Sequence, residues 1–301
     1  MRLCTFRPKG RPNQFPRLGA LYEEKVYGVG SYGDLGAALA GSLFSESHGP
    51  SRSEPSYPLG EVVLSAPVLR PGKIVAAIVN TRGMLGGDLT LGHPRLDMKA
   101  PSTVIGPGEL IVAPRSGVRP EVELAAVIGR RVSKADRRDA RDAIFGYTVL
   151  NDVTAPEDSK EDAYEAYRRD SETGKVRKKL MRGPLFRSKN HDTFSPTGPV
   201  VVTTSEVEDS SDLRMTTRFG STLIQDGSTS DYIFNPEELV SYTSSFLTLE
   251  PGDLVSCGSV GWTRQATGDL DPTEFVLPQK RGILELEIEN VGVLRNPIVY
   301  R

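Results

Sequence analysis

Apolar and polar positions alternate with a period of two along most of this chain, which predicts a protein built mainly of strands. The clearest runs are KIVAAIVN (73–80), STVIGP (102–107), ELIVAP (109–114), EVELAAVIG (121–129), FGYTVLND (145–152) and PVVVTT (199–204). LRMTTRFG (213–220), DLVSCGSV (253–260) and ILELEIENVG (283–292) continue the series. Gly or Pro stands at several of their ends, where turns favour them. Helical periodicity is confined to 135–143, part of 159–169, and 236–245. Helices that are scattered rather than alternating with strands argue against a doubly wound parallel sheet. The expected class is mainly β with some α.

The first 68 residues have a different texture. Short strand-like pieces at 3–6, 18–22 and 25–29 lead to an alanine-rich helical stretch around 34–43. The polar loop SESHGPSRSEPSYPLG follows, with no periodicity and little to bury. This shift predicts a small N-terminal domain and linker (1–68) before a larger domain (69–301). His48, inside that loop, reads as a solvated side chain. The segment 157–182 is long and charged, ending in KVRKKLMR, and predicts a cover over a neighbouring site.

Composition narrows the classes of function. The 301 residues are 38% hydrophobic and 25% charged, with a formal net charge of -2, so nothing draws the chain to nucleic acid or an anionic membrane. No run approaches the roughly 20 apolar residues of a membrane span, and the opening MRLCTFRPKG lacks the apolar core of a secretory signal. Cys4 and Cys257 are the only cysteines, too few for a disulfide framework or a thiolate zinc site. These features predict a cytoplasmic protein.

Candidate chemistry lies in EVELAAVIG. Residues two apart on a strand share a face, so Glu121 and Glu123 project together while Val122 and Leu124 face the other way. The apolar run after them predicts burial, where two carboxylates repel and resist desolvation unless a cation neutralises them. Asp152 ends the next apolar strand. Three oxygen donors without a nearby Cys or His suit a hard ion: Mg²⁺, Mn²⁺ or Ca²⁺. Glu285, Glu287 and Glu289 repeat the spacing, but the regular alternation of ILELEIE predicts an exposed face that needs no metal.

The ordered segments PEVELAAVIG, FGYTVLNDVTA, GPLFRSKNHDTFSPTGPVVVTTSEV, STLIQDGSTSDYIFNPEELVSYTSSFLTLEPGDLVSCGSVG and ILELEIENVGVLRNPIV together resemble the fumarylacetoacetate hydrolase family from about residue 70 to 298. The resemblance implies a mixed β-sandwich or roll catalytic domain, a homodimer, and one divalent cation. Its metal ligands fall on Glu121, Glu123 and Asp152, and its lysine on Lys189. Gln225, Ser259 and Lys99 (in MKAPSTVIGP) fall on substrate-facing positions. Members act on small diketo or 2-oxo acids. A chelated substrate of that kind has its enolate stabilised by the metal, and Lys189 adds fixed positive charge where anionic oxygen develops.

Two departures stand out. In family members the strand matching KIVAAIVN runs into a His and a Glu that activate water. Here NTRGMLGGD places Met84 at the histidine position and Gly87 at the glutamate position, with Asp88 one step later. His93 and His191 are the candidates to replace that base, His191 the stronger because it follows Lys189 by two. Asp152-Val153-Thr154-Ala155-Pro156 also lacks the arginine that members carry after the aspartate; Arg82 and Arg187 are the candidates to bind a substrate carboxylate in its stead. The expected activity is metal-dependent hydrolysis of a C–C bond in a small diketo or 2-oxo acid. The alternatives are dehydration, isomerisation or decarboxylation at the same site, or metal and metabolite binding without catalysis.

Overall fold

The computed structural model describes the chain except for residues 12, 42–54, 86–89, 208 and 271–273. His48, Gly87 and Asp88 lie outside the described residues, as does most of the expected linker.

Two sheets dominate. The larger has twelve strands and runs Ser56–Pro58, Lys25–Gly28, Arg17–Tyr22, Arg2–Pro8, Ser195–Thr203, Ile144–Asn151, Val122–Ile128, Leu254–Ser256, Ile74–Ala77, Leu96–Lys99, with Val62–Ser65 and Val104–Ile105 pairing off this path. The smaller follows the order Thr222–Ser228, Arg214–Phe219, Gly282–Ile288, Gly292–Tyr300, Ile111–Ala113. One apolar core lies between them: Leu124, Ala126, Val149 and Val202 from the large sheet meet Met215, Leu284, Leu286 and Leu294 from the small one. The opposite face of the large sheet carries Ala125, Val127, Leu150 and Leu254 against Leu35, Ala38 and Leu39 of the helix Leu35–Ala40. A sheet covered on both faces explains why Val122–Ile128 is buried along its whole length.

The architecture is the mixed β-sandwich with some helix that the sequence predicts, with a small N-terminal lobe. That lobe is continuous with the rest by hydrogen bonds: Arg2 pairs with Val202 and Leu3 with Val201. Of the stretch 159–169, expected to be helical in part, only 159–161 is helical. Helix forms only over Pro156–Glu161, with proline at its start, whereas Tyr164–Arg169 is a strand paired with Val176–Met181. The SETG sequence between them supplies a turn, with Gly174 at φ 68, and pairing across it overrides the helical propensity of the Glu- and Ala-rich stretch.

Candidate metal centre

Strand register builds the site. Val122 pairs with Asn151 and Glu123 with Leu150, and the Asp152 N–H donates to the Glu121 carbonyl at 2.9 Å. Glu121 therefore stands opposite Asp152, and with period two Glu121, Glu123 and Asp152 share the face that also carries Ala125 and Leu150. One carboxylate oxygen from each lies within 4.8 Å of the other two. An octahedral ion with oxygens at about 2.1 Å spaces its ligands by about 3–4 Å, so modest side-chain shifts would bring all three onto one ion.

Each carboxylate has its own partners. Glu123 is 2% exposed, and its Oε2 accepts from Ser256 Oγ at 2.5 Å and from the Gly258 N–H at 3.2 Å. Asp152 Oδ2 accepts from the Lys189 ammonium, which also donates to Thr154 Oγ1 at 3.0 Å and lies 3.6 Å from Glu121 Oε2. Lys99 Nζ is 2.7 Å from Asp152 Oδ1, so each oxygen of that carboxylate meets an ammonium. Three carboxylates face two ammoniums here, and the Arg119 guanidinium also draws on Glu121.

Electrostatics follow from burial and that count. Desolvation, reinforced by Asp152, pushes the Glu123 carboxyl up to about 8. Desolvation also raises Glu121, against the pull of Lys189. Burial would raise Asp152 too, but the ammoniums of Lys189 and Lys99 outweigh it and hold that carboxyl below the usual range. Burial works against the Lys189 ammonium, yet the surrounding carboxylates keep it firmly protonated. An all-oxygen set of three gathered carboxylates, with Glu123 costly to ionise in its burial, fits a hard divalent cation.

The other sequence-predicted residues separate. Lys99 and Gln225, expected to face substrate, are wholly buried and occupied by protein groups. Lys99 Nζ donates to the carbonyls of Val153 (3.1 Å) and Lys189 (2.8 Å) besides pairing with Asp152. Gln225 Oε1 accepts from Val122 N–H and Thr217 Oγ1, while its Nε2 donates to Ser259 Oγ and the Val260 carbonyl. All four hydrogen-bonding positions of that amide are used, so it clamps the site strand to the small sheet and to Ser259. Arg82 is exposed and donates to the Ser230 carbonyl at 3.2 Å. His93 lies against the Tyr242 ring. His191 Nε2 is 2.5 Å from Asp158 Oδ2, its ring against Phe194, and none of these contacts joins it to the carboxylates. Arg187 pairs with Glu161 and Asp162.

Thr154 and Ser256 belong to the site and were not foreseen. Thr154 follows Asp152 by two, a spacing that places it on the same side of an extended chain; Ser256 carries no comparable signal, because only sheet pairing brings it beside Glu123.

The sequence pattern of the fumarylacetoacetate (FAA) hydrolase C-terminal family matches residues 84–299. The chain belongs to the fumarylacetoacetate hydrolase family. Mitochondrial oxaloacetate tautomerase FAHD2B of Bos taurus is 33% identical over 252 residues, 81% of this chain and 72% of its own. The 2,4-didehydro-3-deoxy-L-rhamnonate hydrolase of Sphingomonas sp. strain SKA58 is 32% identical over 250 residues, 81% of this chain and 79% of its own. The crystal structure of 5-carboxymethyl-2-hydroxymuconate delta-isomerase from Mycobacterium smegmatis superposes with a TM-score of 0.75 over 100% of both chains at 26% identity. As a member of the fumarylacetoacetate hydrolase family with a carboxylate triad, this chain is a metal-associated enzyme that processes a small acid. No helix among its described residues is long and apolar enough to cross a membrane.

Proposed function

We infer that the enzyme interconverts keto and enol, or double-bond, isomers of a small 2-oxo acid, with Mg²⁺ as the ion and Mn²⁺ or Ca²⁺ as alternatives. The observation that carries this reading is the protonated Lys189 set against Asp152 and Thr154, and the family resemblance adds Met84 and Gly87 where it implies a water-activating His and Glu. Enolisation needs charge stabilisation at oxygen and proton movement at carbon, but no activated water. Oxaloacetate tautomerase among the relatives and the delta-isomerase among the fold neighbours agree with it.

The bound ion would be held by Glu121, Glu123 and Asp152 and would supply Lewis acidity toward the substrate oxygens. The rest of the work falls to the chain. Lys189 stays charged through the neutral range and faces developing anionic oxygen as a fixed positive group. Thr154 and Asp152 aim that ammonium, and Lys99 holds the main chain at Val153 and Lys189 from beneath. Ser256 and the Gly258 N–H fix the Glu123 rotamer.

A second reading, hydrolysis of a C–C bond, is favoured by one contact: His191 with Asp158 is a His–carboxylate pair two residues beyond Lys189. The two readings separate in D₂O. With Mg²⁺ and a panel of 2-oxo diacids, isomerisation predicts solvent deuterium entering the carbon next to the ketone, with the carbon skeleton intact by NMR. Cleavage products, lost in His191→Gln, would establish hydrolysis instead.

A further inference from the structure

The Arg119 N–H donates to the Thr154 carbonyl at 2.8 Å, and the Thr154 N–H donates back to the Arg119 carbonyl at 3.0 Å. Residues that exchange both bonds stand opposite each other, with their side chains on one face. This pair continues, without a slip, the register that sets Val122 against Asn151 and Glu123 against Leu150. Arg119 therefore extends the row of Glu121 and Glu123, on the face of the carboxylates. Its neighbour Thr154 accepts from the Lys189 ammonium at 3.0 Å. The Arg119 side chain is half-buried, and its Nε donates to the carbonyl of Phe275, whose ring packs on Trp262. A guanidinium anchored through Nε keeps one orientation, and its Nη1–Nη2 edge is a fork that matches a carboxylate in two parallel bonds. The arginines expected to meet a substrate carboxylate are engaged elsewhere: Arg82 with the Ser230 carbonyl, Arg187 with Glu161 and Asp162.

Charge names the class of ligand. Three carboxylates, Glu121, Glu123 and Asp152, meet three cationic side chains, Lys99, Lys189 and Arg119. With a divalent ion in place all three carboxylates are ionised, and the site is left with two positive charges to be matched. Unmatched charge away from water is costly. A 2-oxo monoacid supplies one negative charge, whereas a 2-oxo diacid supplies two. Arg119 stands two residues along the row from Glu121, about 6.6 Å by strand rise, so the two ends of a short diacid meet separate cations.

We propose that Arg119 binds the substrate carboxylate remote from the ketone and so selects dicarboxylic over monocarboxylic 2-oxo acids. The inference rests on the reading of this centre as a 2-oxo acid site, and is independent of which reaction follows.

Titration calorimetry of the full chain at saturating Mn²⁺ tests it with two length-matched pairs: 2-oxoglutarate against 2-oxopentanoate, and 2-oxoadipate against 2-oxohexanoate. The wild type should bind the diacid at least about tenfold more tightly in one pair or both. Arg119→Met and Arg119→Gln should each erase that preference, and Arg119→Lys, a point charge without the fork, should keep part of it. Mn²⁺ affinity in the absence of acid should hold or tighten in all three variants, because a cation beside Glu121 is weakened or gone; this shows that the carboxylates still assemble. A wild type that binds both members of each pair equally overturns the inference while the 2-oxo acid reading stands, and one that binds none of the four acids overturns both. A preference that survives Arg119→Met and Arg119→Gln, with only Mn²⁺ affinity changed, makes Arg119 a countercharge for Glu121 and overturns the inference as well.

Discussion

Two strands of this enzyme carry the same Glu-x-Glu spacing and do opposite things with it. In the large sheet Glu121 and Glu123 point into protein, and their countercharges arrive from distant segments as the buried ammoniums of Lys99 and Lys189. In the small sheet Glu285 stands directly between Arg218 and Arg295 on neighbouring strands, within 2.5 Å of Arg295 Nε, while Glu287 and Glu289 are exposed. The outer row is neutralised in the plane of its own sheet and by water, and nothing more is required of it. The inner row is buried, and Glu123 there holds a proton up to about pH 8 unless a cation takes its place. The same local pattern becomes a surface or a metal centre according to which face the second layer covers.

The sharpest way to break that comparison is to neutralise one glutamate of each row. Glu123→Gln should lower Mn²⁺ affinity by at least about a hundredfold in titration calorimetry, whereas Glu287→Gln should leave it alone. Equal effects would abolish the distinction. Lys189→Met should cut turnover by about 10²–10³-fold while Mn²⁺ still binds; a simultaneous loss of metal would make the lysine structural rather than catalytic. Ser256→Ala frees Glu123 Oε2 from its hydroxyl partner and should weaken Mn²⁺ binding by about tenfold, with turnover recovering at saturating metal.

A pH experiment sharpens the comparison further. Glu123 titrates at 4.5 when exposed and at about 8 in the fold, so the folded state binds the extra proton between those values. Its contribution to stability is complete below pH 4.5 and is lost as pH rises toward 8. Asp152, held below its ordinary value of 3.8, is ionised in both states across that window and adds no slope. The melting temperature in EDTA should therefore fall from pH 5 to 8, and saturating Mg²⁺ should flatten the decline; a rise in EDTA would contradict the burial of Glu123. The smallest effect belongs to the outer row. Glu285→Gln removes an exposed pair with Arg295 and should cost less than about 0.5 kcal/mol in urea denaturation.

Much of this was legible before folding. Period-two runs marked the strands because each sheet face meets a different environment, and the three carboxylates were marked because buried like charges demand a cation. What was not legible shares a cause. Lys99 and Gln225 fell on substrate-facing positions by resemblance, and a sequence does not show that backbone carbonyls and amides occupy them here. Which part of 159–169 is helix was open, because strand pairing of 164–169 with 176–181 is not a local property.

The sequence by itself determined the alternation and the Glu-x-Glu face, both of which depend on neighbours along the chain. Tertiary structure alone decided that Glu121 stands opposite Asp152, that Lys99 lies beneath while Lys189 stays beside the carboxylates, and that His191 is taken by Asp158. Those outcomes rest on register between distant strands and on the saturation of hydrogen bonds, and neither exists until the sheets have formed.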